Sequence, residues 1–256
     1  MLQLFTEFTE QIRAEAIAAF PNEAAWVITQ AGCRQVDNVA DDPTNFFDIS
    51  ALDVARAQAE GLLAIVHSHV NGQHYPSEMD MRYQVASNVP WGLLTTDGVG
   101  ASTLCWWGGK TIEQTEDLEH RPFRHGTSDC FALVRDYYRV KLGIELQEVP
   151  RKWRWWEDQN IIEESIEPLG FTVVKGDPKP GDVWLASFSS QSNVMNHCGV
   201  LVDNDLTLHH PGANDPVSEM KKAAYMPIYR YLPYIRMWIR HKDMANENLL
   251  PTRPGG

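Results

Sequence analysis

Near its middle the chain carries a polar, acidic stretch, "KTIEQTEDLEHRP", with neither helical nor strand periodicity. It divides the 256 residues into two parts, each long enough to bury its own core without a disulfide or metal staple. The order of elements differs on its two sides, and that difference sets the fold class. Ahead of it, helix and strand patterns alternate. The first 20 residues have apolar side chains at helical spacing and stop at Pro21. "AAWVITQAG" then reads as a strand, "DDPTNFFDIS" as a loop and "ALDVARAQAEG" as a helix with a glycine stop. "LLAIVHSHV" follows as a buried strand, "SEMDMRYQVASN" as a third helix, and "WGLLTTDG" and "ASTLCWWGG" as further strands. Behind the divide a helix comes first, over "SDCFALVRDYYRVKLG", with a short one at "IIEESIEPLG". Strands at "FTVVKG", "KPGDVWLASF", "HCGVLVDN" and "LTLHHPG" come after. The expectation is an α/β domain over 1–110, a linker at 111–120 and an α+β domain over 121–256.

In "IVHSHVNGQHYPSEMDMR", His67 and His69 stand two apart on a strand, so their side chains leave the same face. Two imidazoles so placed can chelate one ion. With Ser77 as helix cap, Asp80 is the third helical residue, and its carboxylate can face back to the strand end. Two His, one Asp and a water make a four-coordinate zinc with one open position. Each feature alone is equally at home on a polar surface or in an ordinary capping box. Their joint spacing resembles the signature of the JAMM (MPN-type) metallopeptidases, with "FPNEAAWV" supplying the upstream glutamate, Glu23. That resemblance implies an α/β JAMM sandwich with one Zn2+ held by His67, His69 and Asp80. It makes Glu23 the general base and Ser77 a hydrogen-bond donor to the oxyanion. Val70 departs from the family, which very often has proline there. His74 reads as a surface residue.

Cys130 follows the polar run Thr127-Ser128-Asp129 and begins an apolar-periodic segment. A thiol at a helix N-terminus meets unsatisfied N–H groups and the positive end of the dipole, which favour its thiolate. A base is available in "NHCGVLVDNDLTLHHPG", where a turn at "VDND" joins two alternating strands. Folding about Asp203 sets His197 opposite His209, one to activate the thiol and the other to orient it. Gly199 leaves room for a close approach, and His210 competes with His209 for the third role. The "DC" at a helix start, "PGDVW", "HCGVLV" and a polar residue twelve after the histidine resemble the NlpC-type cysteine peptidases. That family is papain-like, circularly rearranged, and acts on cell-wall peptides. Phe131 departs from its small polar residue after the cysteine. Phe123 and His125 are expected to line the cleft, and Trp153, Trp155 and Trp156 to serve as core or domain contact, with stacking on a sugar or a partner as the alternative.

The two halves together, through "PNE", "HSH", "RPF", "DCFALVRDYY" and "HHP", resemble tail assembly proteins of lambda-like phages. The resemblance implies a tail-tip protein with peptidase activity, acting on peptidoglycan peptides and meeting other tail-tip proteins. A cell-wall remodelling hydrolase, or a scaffold with idle sites, are the competing readings. A net charge of −12 argues against nucleic acid as a partner. No apolar run approaches the ~20 residues of a membrane span. Four scattered cysteines without CxxC spacing read as free thiols, with Cys33, Cys105 and Cys198 packed as small apolar groups. No signal peptide is visible at the N-terminus, so synthesis in the host cytoplasm, with assembly into the virion tail tip, is expected.

Overall fold

The run Leu62–His69 is apolar over its first five residues, which suits a strand covered on both faces, and it forms the middle strand of the first sheet. The computed structural model describes residues 4–109, 118–188, 194–212 and 214–245. The chain divides into two compact units, Met1–Gln114 and Thr115–Gly256. Residues 111–117 of the expected linker lie outside the described residues.

In the first unit α1 (Thr9–Ala19) leads into β1 (Ala25–Thr29), which turns back as β2 (Gly32–Val36). Helix α2 (Ala51–Ala59), strand β3 (Leu62–His69), helix α3 (Glu78–Ser87), and strands β4 (Trp91–Thr95) and β5 (Cys105–Trp107) follow. The sheet order is β2-β1-β3-β4-β5, with β3 and β4 parallel across the α3 connection. Strand alternation sorts the core into two layers. Trp26, Ile28, Ala64, Val66 and Leu94 pack with Ile12 and Ala16 of α1. Ala25 and Val27 face the other way, with Ala57 of α2. Strand β2 was not among the expected elements; "GCRQV" is largely half-buried, and its short alternation is weak in sequence.

The second unit opens with β6 (Pro122–Arg124) and α4 (Cys130–Tyr137), which a π-turn extends through Leu142. Then come α5 (Ile161–Ser165), β7 (Phe171–Val173), β8 (Val183–Ala186), β9 (His197–Asp203) and β10 (Leu206–His209). The unit closes with β11 (Val217–Lys222), β12 (Ala224–Pro227) and β13 (Ile235–His241). Six strands pair antiparallel in the order β12-β10-β9-β8-β13-β7, and β6 pairs separately with β11. Helix α4 lays Leu133, Val134 and Tyr137 on Val183, Leu185, Val200 and Leu208. The other face of β8 carries Trp184 and Ala186 into a smaller cluster with Leu201 and Ile228. Both units mix helices and sheets, and in the second β6, ahead of α4, and β11, β12 and β13 were not among the expected strands. Among the described residues no helix is long and apolar enough to cross a membrane.

Candidate functional site

Because Ala64 and Val66 point into the α1 layer, His67 and His69 emerge on the opposite face of β3. There the His67 ring stacks on Phe47, with centroids 4.3 Å apart, and meets Trp91 edge-on. Ser77 caps α3: its Oγ accepts from the Asp80 N–H at 3.1 Å. The Ser77 N–H in turn donates to Asp80 Oδ2 at 2.7 Å, which holds the carboxylate toward the strand end. Asp80 Oδ2 lies 3.5 Å from His67 Nε2 and 3.4 Å from His69 Nε2, and the two Nε2 atoms are 3.1 Å apart.

These spacings fit a metal. A tetrahedral ion bound at 2.0–2.1 Å sets its ligand atoms roughly 3.3–3.4 Å apart, by geometry alone. The donor chemistry agrees as well. His69 Nδ1–H donates to the Gln73 carbonyl at 2.8 Å, which leaves the Nε2 lone pair directed at the centre. All three residues are buried. Burial opposes a charge on Asp80, yet the two histidines hold its carboxyl well below the usual range. Burial would lower His69 too, but Asp80 overcomes it and raises the imidazole, whereas burial prevails at His67 and lowers it.

The strand register brings in the glutamate. Ala25 of β1 pairs with His67, and the Ala24 N–H donates to Ser68 Oγ at 2.9 Å. Glu23 therefore stands level with His69, at 3% exposure. Burial pushes its carboxyl up to about 7, against the pull of His69. His74 is exposed, its Nδ1 2.7 Å from Thr95 Oγ1.

In the second unit Cys130 is the first residue of α4, and Asp129 is the cap, its Oδ1 accepting from the Ala132 N–H at 3.0 Å. His197 and Cys198, at the start of β9, line the same cavity wall as Cys130. The Cys198 side chain first, and His197 next, hold the Cys130 thiol well below its usual range, against burial and the Asp129 charge. Cys130 and burial push the Cys198 thiol up. His197 Nε2 and His209 Nδ1 are 3.3 Å apart. Burial lowers His209 to about 3, so its ring is neutral at pH 7. His210 is engaged elsewhere, its Nε2–H donating to the Arg121 carbonyl at 2.8 Å.

The expected pairing of His197 with His209 needs correction. The chain reverses at Asn204 and Asp205 rather than about Asp203, so Asp203 pairs with Leu206, and beyond a bulge at Leu206/Thr207 His209 lies opposite Gly199. His197 is its diagonal neighbour, and the imidazoles still meet because residue 199 has no side chain to separate them.

Cys130, His197 and His209 lie on the wall of a cavity of about 730 Å3. Phe123 and His125 also line it, and so do Trp153, Trp155 and Trp156, which the sequence had suggested as packing. Cys198 joins the core beneath α4, as expected, but it also touches Cys130, which was not. The four cysteines are free. Sequence reasoning missed Arg151, whose guanidinium forks onto Asp129 at 2.6 and 2.8 Å. Its partner lies 22 residues upstream, and a basic residue in "RKWRWWED" reads as surface charge.

The architecture and its two sites define a protein of two enzyme-like domains. Residues 6–108 match the prokaryotic homologs of the JAB domain. Residues 106–233 match the NlpC/P60 family, one of cysteine peptidases. Over 216 residues the chain is 32% identical to the tail tip assembly protein K of Escherichia phage N15, covering 78% of this chain and 83% of that protein. Over 168 residues it is 34% identical to the tail tip assembly protein K of Escherichia phage lambda, covering 63% and 76%. The chain belongs to this family, the tail tip assembly proteins K of lambda-like phages, with a JAB-like domain followed by an NlpC/P60 domain.

Proposed function

We propose that the protein is a tail-tip hydrolase whose C-terminal domain cleaves amide bonds in peptidoglycan stem peptides, and whose N-terminal domain is a zinc-dependent (iso)peptidase. The observation that carries this reading is the meeting of Cys130, His197 and His209 on one cavity wall. The Cys130 thiolate attacks the scissile carbonyl carbon and forms a thioester. His197 gives a proton to the leaving amine, then takes one from the water that hydrolyses the thioester. His209, neutral, accepts or donates at Nδ1 and fixes the His197 ring. N–H groups at the start of α4 point toward the carbonyl oxygen as it gains charge.

In the other domain His67, His69 and Asp80 hold the ion. A zinc ion there supplies a Lewis acid that polarises a carbonyl and acidifies water. Glu23 takes a proton at its carboxylate and returns it to the leaving amine, and the Ser77 hydroxyl donates to the oxyanion. The names of the relatives support work in tail-tip assembly, among other tail proteins.

The test incubates purified protein and its Cys130→Ala form with peptidoglycan sacculi and identifies released fragments by mass. Peptide fragments that vanish in the variant are expected. Release that survives the variant but not a zinc chelator moves the wall chemistry to His67, His69 and Asp80. No release from either form favours an assembly protein with idle sites.

A further inference from the structure

An aspartate cap directly before Cys130 presents an electrostatic problem. Asp129 orients α4 through Ala132 N–H and tightens the preceding turn by accepting from Gly126 N–H at 2.8 Å. Its negative charge, however, opposes a second negative charge on the adjacent sulfur. A serine, threonine or asparagine cap fills the same role without that opposition. What offsets it is a residue from a different segment.

Arg151 is 3% exposed, and each of its three guanidinium nitrogens donates to an acceptor. Nε and Nη2 fork onto the Asp129 carboxylate at 3.2, 2.8 and 2.6 Å, and Nη1 donates to Glu148 Oε1 and to the Val149 carbonyl. The guanidinium also lies over the Phe131 ring, 5.0 Å from its centroid, and the Arg151 carbonyl accepts from His125 Nε2–H at 3.1 Å. Two residues on, the chain delivers Trp153 to the cavity wall.

We propose that Arg151 is a positioning residue of the Cys130 site: it neutralises Asp129, so that the capped end of α4 can carry a thiolate, and it fixes the tryptophan segment to that helix. The proposal deepens the reading of Cys130 as nucleophile and rests on it. Besides Asp129, which the test alters, five other groups complete the surroundings of the sulfur and stay constant. They are His197 and Cys198 from β9, His209 behind His197, His210 at the end of β10, and His125 from the preceding loop.

The measurement is the pH profile of Cys130 alkylation by iodoacetamide in the full chain, read by mass on the Cys130 peptide, with near-ultraviolet circular dichroism as the folding control. It needs no substrate, so its outcome is separable from whether sacculi are cut. Arg151→Gln is expected to move the alkylation midpoint up by about one unit, slowing the reaction roughly tenfold at pH values below the midpoint. Asp129→Asn, and the Asp129→Asn/Arg151→Gln pair, are expected within about threefold of the unaltered protein, because neither leaves an unopposed carboxylate. An unmoved midpoint in Arg151→Gln overturns the proposal, and so does an equal shift in the Asp129→Asn background. If Arg151→Gln does not fold, the other two variants decide: a tenfold loss in either overturns it, and near-normal rates in both sustain it.

Discussion

A Cβ built at position 199 lies 2.5 Å from the Trp184 ring and 2.7 Å from His209 Cβ, closer than side-chain packing permits. Trp184 cannot retreat, since it is fully buried and its indole N–H donates to Thr207 Oγ1 at 2.6 Å. Gly199→Ala therefore moves His209. The expected outcome is a loss of about 1–3 kcal/mol in urea unfolding, together with slower alkylation of Cys130. A second consequence concerns protons. His125 and His209 are both 2% exposed, and burial lowers them to about 4 and about 3 from an unfolded value of 6.5. The unfolded chain binds protons at these rings first, so their contribution to stability is full above pH 6.5 and is lost as pH falls toward 4. Each group is expected to remove about 2 kcal/mol between pH 7 and pH 5. Urea titrations at the two pH values, in the protein and in His125→Gln, test this. An equally steep loss in the variant would sink the assignment for His125.

At the scale of the element, α3 shows one device serving two ends. The capping box that starts the helix also aims Asp80 at the histidines of β3. Ser77→Ala removes the acceptor for the Asp80 N–H but leaves the backbone bond to Oδ2. It is expected to cost about 1 kcal/mol of stability and to weaken zinc binding less than tenfold, whereas His69→Ala abolishes binding. Competition against a chromophoric chelator reads both. This site was open to sequence reasoning because each part obeys a local period: two along β3, three between a cap and its partner. Helix α4 and the cap before Cys130 were readable on the same ground. Pairing between distant segments was not. Strands β6, β11, β12 and β13 carry short or mixed patterns, with β11 mostly exposed, and gain their identity only from partners far along the chain. The β9–β10 register turned on where the chain reverses, and the polar run Asp203, Asn204, Asp205 does not say which of its residues form the turn.

For the whole molecule, the break in pattern near residue 110 carried more information than composition did. An alternating order ahead of it and a helix-first order behind it were enough to separate the two architectures. The charge of −12 bears on partners and says nothing of fold. Each site draws its groups from one unit alone: Glu23, His67, His69, Ser77 and Asp80 from the first, and Cys130, Arg151, His197 and His209 from the second. Each unit also has its own core clusters. Zinc that binds only the folded first unit stabilises it by mass action, about 2.7 kcal/mol at a hundredfold excess over the dissociation constant. Withdrawing zinc with a chelator is therefore expected to lower one of two calorimetric transitions and to leave the other in place. The rate of Cys130 alkylation should not change. In His67→Ala the lower transition should already be present and the chelator without effect. A chelator that slows Cys130 alkylation, or moves both transitions together, would contradict two separately built sites and require the metal to act on the cysteine domain.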